Sequence, residues 1–127
     1  MQDMIKIHAK NHPNITLKAI PGHFVTPNSH VNYYLDMTTL KTRLSEASTV
    51  ARELRVQISA STIVDTIVCI DGCEIIGAFL AEELTKAGVL SMNAHKTIYI
   101  ITPEYLSTGQ FLFRENFQPM IKEKNVL

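Results

Sequence analysis

The residues best suited to chemistry stand around one Asp-Gly step near the middle of the chain. Asp71 and Gly72 follow an apolar run, and Cys73 and Glu74 lead into an amphipathic stretch. Glycine lets backbone approach a ligand closely, and a helix that begins after such a turn offers unpaired N–H groups to an anion. The pattern predicts an anion site at this turn, with a plain structural turn as the alternative.

Asp71 and Glu74 also admit a second interpretation, as a carboxylate pair for a metal ion or for acid–base work. Acidic side chains at the start of a helix stabilise it in any case, so helix capping is the simpler explanation. Two carboxylates repel a phosphate unless Mg²⁺ or a basic residue intervenes. The segment matches neither G-x-G-x-x-G nor G-x-x-x-x-G-K-[ST], so neither a dinucleotide-binding fold nor a P-loop is indicated.

The elements that must position this turn are a strand and a helix. Residues Thr66–Ile70 are apolar at nearly every position, which is typical of a strand covered on both faces, as in parallel sheets. After the turn, apolar side chains recur at helical spacing: Ile76, Phe79, Leu80, Leu84 and Ala87. Gly88 is expected to end that helix.

A longer helix is predicted upstream, between residues 39 and 58. Its apolar positions alternate at spacings of four and three: Leu40, Leu44, Ala47, Ala51, Leu54 and Ile58. Thr38 or Thr39 is expected to cap it with a hydroxyl group. Before it, the β-like runs His23–Thr26 and Asn32–Asp36 flank a Pro-Asn turn and predict a hairpin.

Two further features follow the second helix. Thr97–Ile101 is predicted to be a β-branched strand, and Tyr105–Gln110 a polar loop. The last residues, Lys122–Leu127, place charges before Val-Leu, like a chain that enters a buried strand. Since two residues do not make a strand, we expect the natural chain to continue, with a frayed tail as the alternative.

Aromatic and histidine side chains offer fewer signals. Tyr33 and Tyr34 are adjacent, so on a strand they point to opposite faces. One is expected to face the core, and the other either packs or stacks on a flat heteroaromatic ligand. The five histidines are scattered without the spacing of a metal site, so no metal ligands are predicted.

Composition limits the class of protein. The 127 residues suit one domain, and 46% of them are apolar, enough for a core. Twelve basic and twelve acidic side chains cancel, so we expect neither nucleic acid nor a membrane as a partner. We expect no signal peptide, and Cys69 and Cys73 are expected to be reduced thiols, which favours the cytoplasm.

The order of these elements resembles the type I phosphoribosyltransferases, most of all orotate phosphoribosyltransferase. The most similar stretches are His23–Thr42 and Val64–Leu84. In that family the first carries a base-site loop and an aromatic pair, and the second carries the loop that contacts pyrophosphate. The resemblance implies an α/β fold, a parallel sheet flanked by helices with an N-terminal β-hairpin. It also implies one incomplete domain, with residues 1–38 as a hood or hairpin region and residues 39–127 as part of the core.

The resemblance also implies an activity. Members of the family transfer ribose 5-phosphate from phosphoribosyl pyrophosphate to orotate in pyrimidine nucleotide biosynthesis, with Mg²⁺, and they are homodimers. The same reaction, cofactor and dimer are therefore expected here. On the base side, the resemblance implies that Ser29 and His30 lie in the loop beside the base and that Tyr34 stacks on it.

On the phosphate side, the resemblance makes Asp71–Glu74 the pyrophosphate loop, with His95 and Lys96 approaching the diphosphate as catalytic residues. The family usually has a lysine at the position of Glu74 and a basic pair where this chain has Ala-His. The acidic pair and Thr-Gly of the phosphoribosyl pyrophosphate signature would follow Leu127 and are absent. We therefore expect this 127-residue chain to be inactive by itself.

Two other classes of protein remain open at this point. The first is a non-catalytic relative of the phosphoribosyltransferases that binds or regulates, which the lost basic positions favour. The second is an unrelated α/β ligand-binding module that is complete in 127 residues. The residues that follow in the natural gene product would discriminate among them, since two adjacent acids before a small residue, threonine and glycine would favour the enzyme.

Overall fold

The computed structural model describes residues 4–86 and 91–127, so the predicted helix end at Ala87 and Gly88 lies outside the described residues. The elements in chain order are β1 (Ile5–Ala9), β2 (His12–Val25), β3 (His30–Asp36), α1 (Thr38–Thr42), α2 (Leu44–Gln57), β4 (Thr66–Val68), α3 (Glu74–Thr85), β5 (Tyr99–Ile101), β6 (Glu104–Tyr105), β7 (Phe111–Leu112) and a 3₁₀ helix (Glu115–Met120). None of the helices in these ranges is both long and apolar enough to cross a bilayer.

The largest sheet is antiparallel and contains β1, β2 and β3 in that order. Its connections are short: a two-residue turn follows Ala9, and a turn closed by the Thr26 N–H and the Ser29 carbonyl oxygen, 2.8 Å apart, follows Val25. Connections this short can return a strand only in the antiparallel direction. The hairpin predicted between residues 23 and 36 is therefore confirmed, and β1 adds a third strand to it.

Parallel pairing is limited to a much smaller region. β4 and β5 are parallel, with Thr66 opposite Tyr99 and Val68 opposite Ile101, and a single parallel bridge joins Thr66 to Val126. The prediction of a parallel sheet flanked by helices is therefore wrong for the described residues. The apolar run that suggested it forms a strand over only three residues. An apolar run indicates that a strand is buried on both faces, but it does not indicate how many parallel neighbours the strand has.

The helix predicted between residues 39 and 58 is divided in two. Arg43 has extended backbone angles, φ −81° and ψ 120°, and separates α1 from α2. The predicted hydroxyl cap is also wrong, because α1 begins at Thr38 without a hydrogen bond from a capping side chain. The Thr38 N–H instead donates to the Asp36 carboxylate at 2.9 Å. The break turns the start of the predicted apolar stripe toward solvent, so Leu44 is 67% exposed, whereas Ala47 is buried.

The main core lies where α2 and α3 pack together and α3 covers the β4–β5 pair. Its buried residues are Ala51, Val64, Ile67, Cys69, Leu80, Ala81 and Leu84. α3 approaches the strands closely at Gly77, where a Cβ atom would overlap Cys69 Sγ. The core therefore fixes α3 against β4, and with it the turn that joins the two.

Candidate functional site

The segment between β4 and α3 is a tight turn of defined type. The Cys73 N–H donates to the Ile70 carbonyl oxygen at 3.3 Å, and the two central residues are left-handed, with φ 54° at Asp71 and 80° at Gly72. Positive φ at both central positions defines a type I′ turn. Asp-Gly is among the pairs that adopt it most readily, so the residue types themselves select this conformation.

Two side chains from distant parts of the sequence contact this turn. Lys41 Nζ in α1 donates to Asp71 Oδ2 at 2.9 Å, and the Tyr105 hydroxyl oxygen in β6 accepts the Asp71 N–H at 3.1 Å. The aliphatic part of Lys41 passes close to Gly72, since a Cβ at that glycine would lie 3.8 Å from Lys41 Cδ. Lys41, Tyr105 and the turn form what we call the turn cluster.

The charges of the turn cluster are unequally exposed. The Lys41 side chain is 18% exposed and that of Asp71 is 76% exposed, so the carboxylate lies on the solvent side of the ammonium group. The hydrogen bond that Lys41 Nζ donates to the Asp71 carboxylate is the main cause that raises the pKa of Lys41, and the charge of Asp71 adds a smaller contribution in the same direction. Lys41 is therefore electrostatically connected to the turn.

Glu74 is the first residue of α3, whose start is not capped by a side chain. Its carboxylate stands in the first turn of the helix, a position where negative charge is stabilising. Asp71 and Glu74 together carry one more charge than Lys41 can balance. An anionic ligand at this turn would therefore need a cation with it, or would need to displace one of the carboxylates.

Tyr34 lies on β3 opposite Ile20, and its ring centroid is 5.7 Å from that of Phe24. Its side chain is 54% exposed, and Tyr33 on the opposite face is exposed to a similar extent. The prediction that one of the two tyrosines faces the core is therefore wrong, because neither face of β3 is covered at this point. The Tyr34 ring keeps a free surface on which a flat group can stack.

Ser29 and His30 make their side-chain hydrogen bonds within the hairpin. Ser29 Oγ lies 2.8 Å from Thr26 Oγ1, and His30 Nδ1 lies 3.0 Å from His23 Nε2. These residues stand at the tip of the hairpin, about 14 Å along β3 from Tyr34 at the usual rise of a strand. The structure therefore separates the loop residues predicted for the base side from the predicted stacking residue.

His95 and Lys96 lie at the other end of β4 from the turn. Lys96 Nζ donates to Asp65 Oδ1 at 2.7 Å and to the Val64 carbonyl oxygen at 3.1 Å, just before β4 begins. The six residues from Asp65 to Asp71 correspond to about 20 Å of extended chain. The expected approach of His95 and Lys96 to the pyrophosphate loop is therefore not seen. A left-handed His95, at φ 64°, instead donates its N–H to the Thr85 carbonyl oxygen at 2.9 Å.

An apolar cavity of about 260 Å³ adjoins the turn on the side of α2. Residues from α2, from the turn and from α3 line it, among them Leu54, Ile70, Cys73 and Ile76. Its walls are almost entirely hydrocarbon and sulfur, so they offer little to orient a polar ligand. Any polar recognition near this cavity must come from the turn cluster.

The described side chains do not form a metal cage by themselves. Across residues 4–86 and 91–127, no three His, Cys, Asp or Glu side chains converge on one point. Mg²⁺ usually keeps several waters and is held by one or two carboxylates together with substrate phosphates. A single carboxylate such as that of Glu74 would suffice for that mode of binding, in which most of the remaining oxygens come from the ligand.

Sequence reasoning missed Lys41 and Tyr105. Lys41 lies off the apolar stripe of the predicted helix, and Tyr105 lies in the segment predicted to be a polar loop. They lie 30 and 34 positions from Asp71. No local spacing in the sequence connects residues so far apart, so only the fold reveals these contacts.

Comparisons with known proteins give no relative for this chain. No family model, no curated protein and no solved structure matches it. A function can therefore be inferred only from the residues of this chain and their geometry.

Proposed function

We propose that this protein is a phosphoribosyltransferase of the orotate type, which transfers ribose 5-phosphate from phosphoribosyl pyrophosphate to a planar pyrimidine base. The observation that carries the proposal is the type I′ turn at Asp71 and Gly72, which follows a parallel strand and leads into α3 with Lys41 beside it. Ligands of α/β proteins bind beyond the carboxyl ends of parallel strands, where a helix start favours anions. The resemblance in sequence specifies the anion as a diphosphate.

The phosphate side of the proposed site is built from the turn cluster. Gly72 has no side chain, so a phosphate oxygen can approach its backbone without meeting a Cβ. Lys41 supplies the nearby positive charge that the turn itself lacks. Mg²⁺ bound to the diphosphate would offset the negative charge of Asp71 and Glu74.

The base side of the proposed site is Tyr34. Its exposed ring offers a surface on which a pyrimidine can stack. A pyrimidine stacked on Tyr34 would lie near the junction of β3 with α1, the helix that carries Lys41. In this proposal Ser29 and His30 act only if the hairpin tip bends toward the base.

A second candidate function is ligand binding without catalysis. Two observations favour it: Lys96 is engaged with Asp65 at the far end of β4, and Glu74 adds negative charge to the turn. Both reduce the positive charge available to stabilise a departing diphosphate. A binding protein would retain affinity for the phosphorylated ligand while lacking turnover.

The deciding experiment measures binding and turnover separately on one preparation of the natural gene product, because the 127-residue chain by itself is expected to be inactive. Calorimetry with phosphoribosyl pyrophosphate and Mg²⁺ reports binding, and release of diphosphate in the presence of orotate or uracil reports transfer. The enzyme proposal expects both signals, with Tyr34→Ala weakening the apparent affinity for the base and Tyr33→Ala leaving it unchanged. Binding without transfer would establish the second candidate, and no binding would exclude both.

We also propose a cytoplasmic location and a homodimer for this protein. Cys69 and Cys73 are both free thiols in the structure, which suits a reducing compartment. The homodimer rests on the resemblance in sequence. Light scattering coupled to size-exclusion chromatography would measure the mass in solution, and a monomer would contradict this part of the proposal.

A further inference from the structure

We propose that Lys41 is the residue that binds the diphosphate, and that the Asp71 carboxylate occupies the position of a diphosphate oxygen on Lys41 while the protein is free. This inference rests on the proposed function, because it assigns a ligand contact within the same site. It adds a residue from α1 that the sequence pattern gave no reason to include. It also gives Asp71 a role opposite to that of a ligand-binding residue.

The geometry of the ion pair supports an exchange. Lys41 is mostly covered, and the Asp71 carboxylate lies outside it, 76% exposed. An incoming anion therefore meets Asp71 first and can reach Lys41 only where the carboxylate now accepts a hydrogen bond. Because the incoming anion would take over the hydrogen bond from Lys41, the largely covered ammonium group would keep a charged partner through the exchange.

The backbone of the turn can remain in place while its side chain moves. The Asp71 N–H is held by the Tyr105 hydroxyl and the Cys73 N–H by the Ile70 carbonyl oxygen, and neither bond involves the Asp71 carboxylate. Rotation of the Asp71 side chain would therefore free Lys41 and leave the type I′ turn intact. Gly72, beside the Lys41 stem, leaves room for the displacing anion.

Lys41 is the cation that contacts the turn directly, whereas Asp36 and Glu74 are carboxylates. Asp36 accepts hydrogen bonds from the N–H and the hydroxyl of Thr38, and it lies opposite Lys18 on β2. Glu74 at the start of α3 is negative. An anion that binds between these groups is expected to depend on Lys41 for its direct hydrogen bond.

The test uses Mg²⁺ and inorganic diphosphate as the probe, with phosphoribosyl pyrophosphate as a second ligand, titrated by calorimetry. Lys41→Met should weaken diphosphate binding about tenfold or more, because it removes a hydrogen bond from a charged donor. Lys41→Arg keeps the charge and should recover most of the affinity. Asp71→Asn should tighten binding, because it removes the competing carboxylate and its negative charge.

The matched control is Lys86→Met. Lys86 is also paired with a carboxylate, Glu83, at 3.0 Å, but it lies at the far end of α3. Its removal should leave diphosphate binding within experimental error. Thermal unfolding of each variant, followed by circular dichroism, separates a lost contact from a lost fold.

The outcomes distinguish this inference from the proposed function. Binding by the wild type that Lys41→Met leaves unchanged would overturn the role of Lys41 while the proposed function stands. Weakened binding in both Lys41→Met and Asp71→Asn would overturn the exchange, because the pair would then act only as a structural unit. Failure of the wild type to bind either ligand would overturn the proposed function and this inference together.

Discussion

The side-chain amide of Asn93 takes the place of a backbone partner for Val64. Asn93 Oδ1 accepts the Val64 N–H at 2.9 Å, while its Nδ2 donates to the Thr62 carbonyl oxygen at 2.7 Å. Asn93 is completely buried, so no solvent can replace it. Its amide thereby fixes the segment that enters β4 from the side opposite the turn.

Replacement of Asn93 by alanine should lower the free energy of unfolding by about 2–4 kcal/mol, because the buried Val64 N–H is left without a partner and the Thr62 carbonyl oxygen loses a hydrogen bond. Chemical unfolding in urea, fitted to a two-state transition, measures the change. Asn28→Ala is the matched control, since Asn28 is exposed and its hydrogen bond to Thr26 uses only the backbone N–H. A loss no larger for Asn93→Ala than for Asn28→Ala would contradict the buried role.

The stability of the fold should depend on acid through Asp65. The hydrogen bond from Lys96 is the main cause that lowers its pKa from 3.8 to about 2, and the backbone N–H and side-chain amide of Asn125 lower it further. A carboxyl group whose pKa falls on folding stabilises the folded state above its unfolded pKa. That contribution should be lost as the pH falls from about 4 through about 2.

The measurement for Asp65 is the midpoint of thermal unfolding between pH 6 and pH 2. Other carboxyl groups also titrate in this range, so the comparison with Asp65→Asn isolates the effect. The wild type should lose more stability across the acid range than the variant does. Parallel pH profiles for the two proteins would show that Asp65 contributes nothing.

Gly77 should resist replacement by alanine. The added Cβ overlaps Cys69 Sγ, and overpacking of this kind costs about 1–3 kcal/mol. Alanine gains up to about 1 kcal/mol in helix propensity over glycine, so the net change should still be destabilising. The double variant Gly77→Ala, Cys69→Ala removes the overlapping sulfur and should cost less than the sum of its single changes. If the effects of the two single changes were additive, the overlap with Cys69 Sγ would not be the source of the destabilisation.

Gly72→Ala tests the left-handed turn. Space is available for the methyl group, so the cost is that of the backbone conformation, about 1–2 kcal/mol. Gly72→Asn should cost less, because asparagine tolerates this region better. Gly109 also has a positive φ, 84°, and nothing lies within 4 Å of an added Cβ. Gly109→Ala should match the stability loss of Gly72→Ala and leave diphosphate binding unchanged.

Local patterns predicted the elements of this fold better than their assembly. The Asp-Gly pair indicated the turn, and the two β-like runs around a Pro-Asn turn indicated the hairpin, because both depend on residues close together in sequence. The break at Arg43 left no comparable signal, since arginine is a good helix former and the apolar spacing continues through it. The pairing of β4 with β5 depends on contacts more than 30 residues apart, which no local pattern records.

The candidate site was likewise only partly predictable from the sequence. The turn at Asp71 and Gly72 could be found from two residue types, whereas Lys41 and Tyr105 reach it from elements that are remote in sequence. Lys96 shows the opposite error: the sequence predicted it to lie at the site, but its ammonium group pairs with Asp65 instead. A charge in the sequence identifies a possible contact, but only packing decides which carboxylate it meets.

The antiparallel sheet of β1, β2 and β3 and the parallel pair of β4 and β5 make different demands on folding. β1, β2 and β3 pair with their neighbours in the chain through short turns, so little chain entropy is lost when each contact forms. Asp65 instead joins Lys96 and Asn125, which lie 31 and 60 positions away. Contacts between residues so far apart in the chain form slowly during folding. We therefore expect the hairpins to gain hydrogen-exchange protection early in refolding, while the amides of β4 and the turn beside Lys41 become protected last, so that the binding site is completed only at the final step.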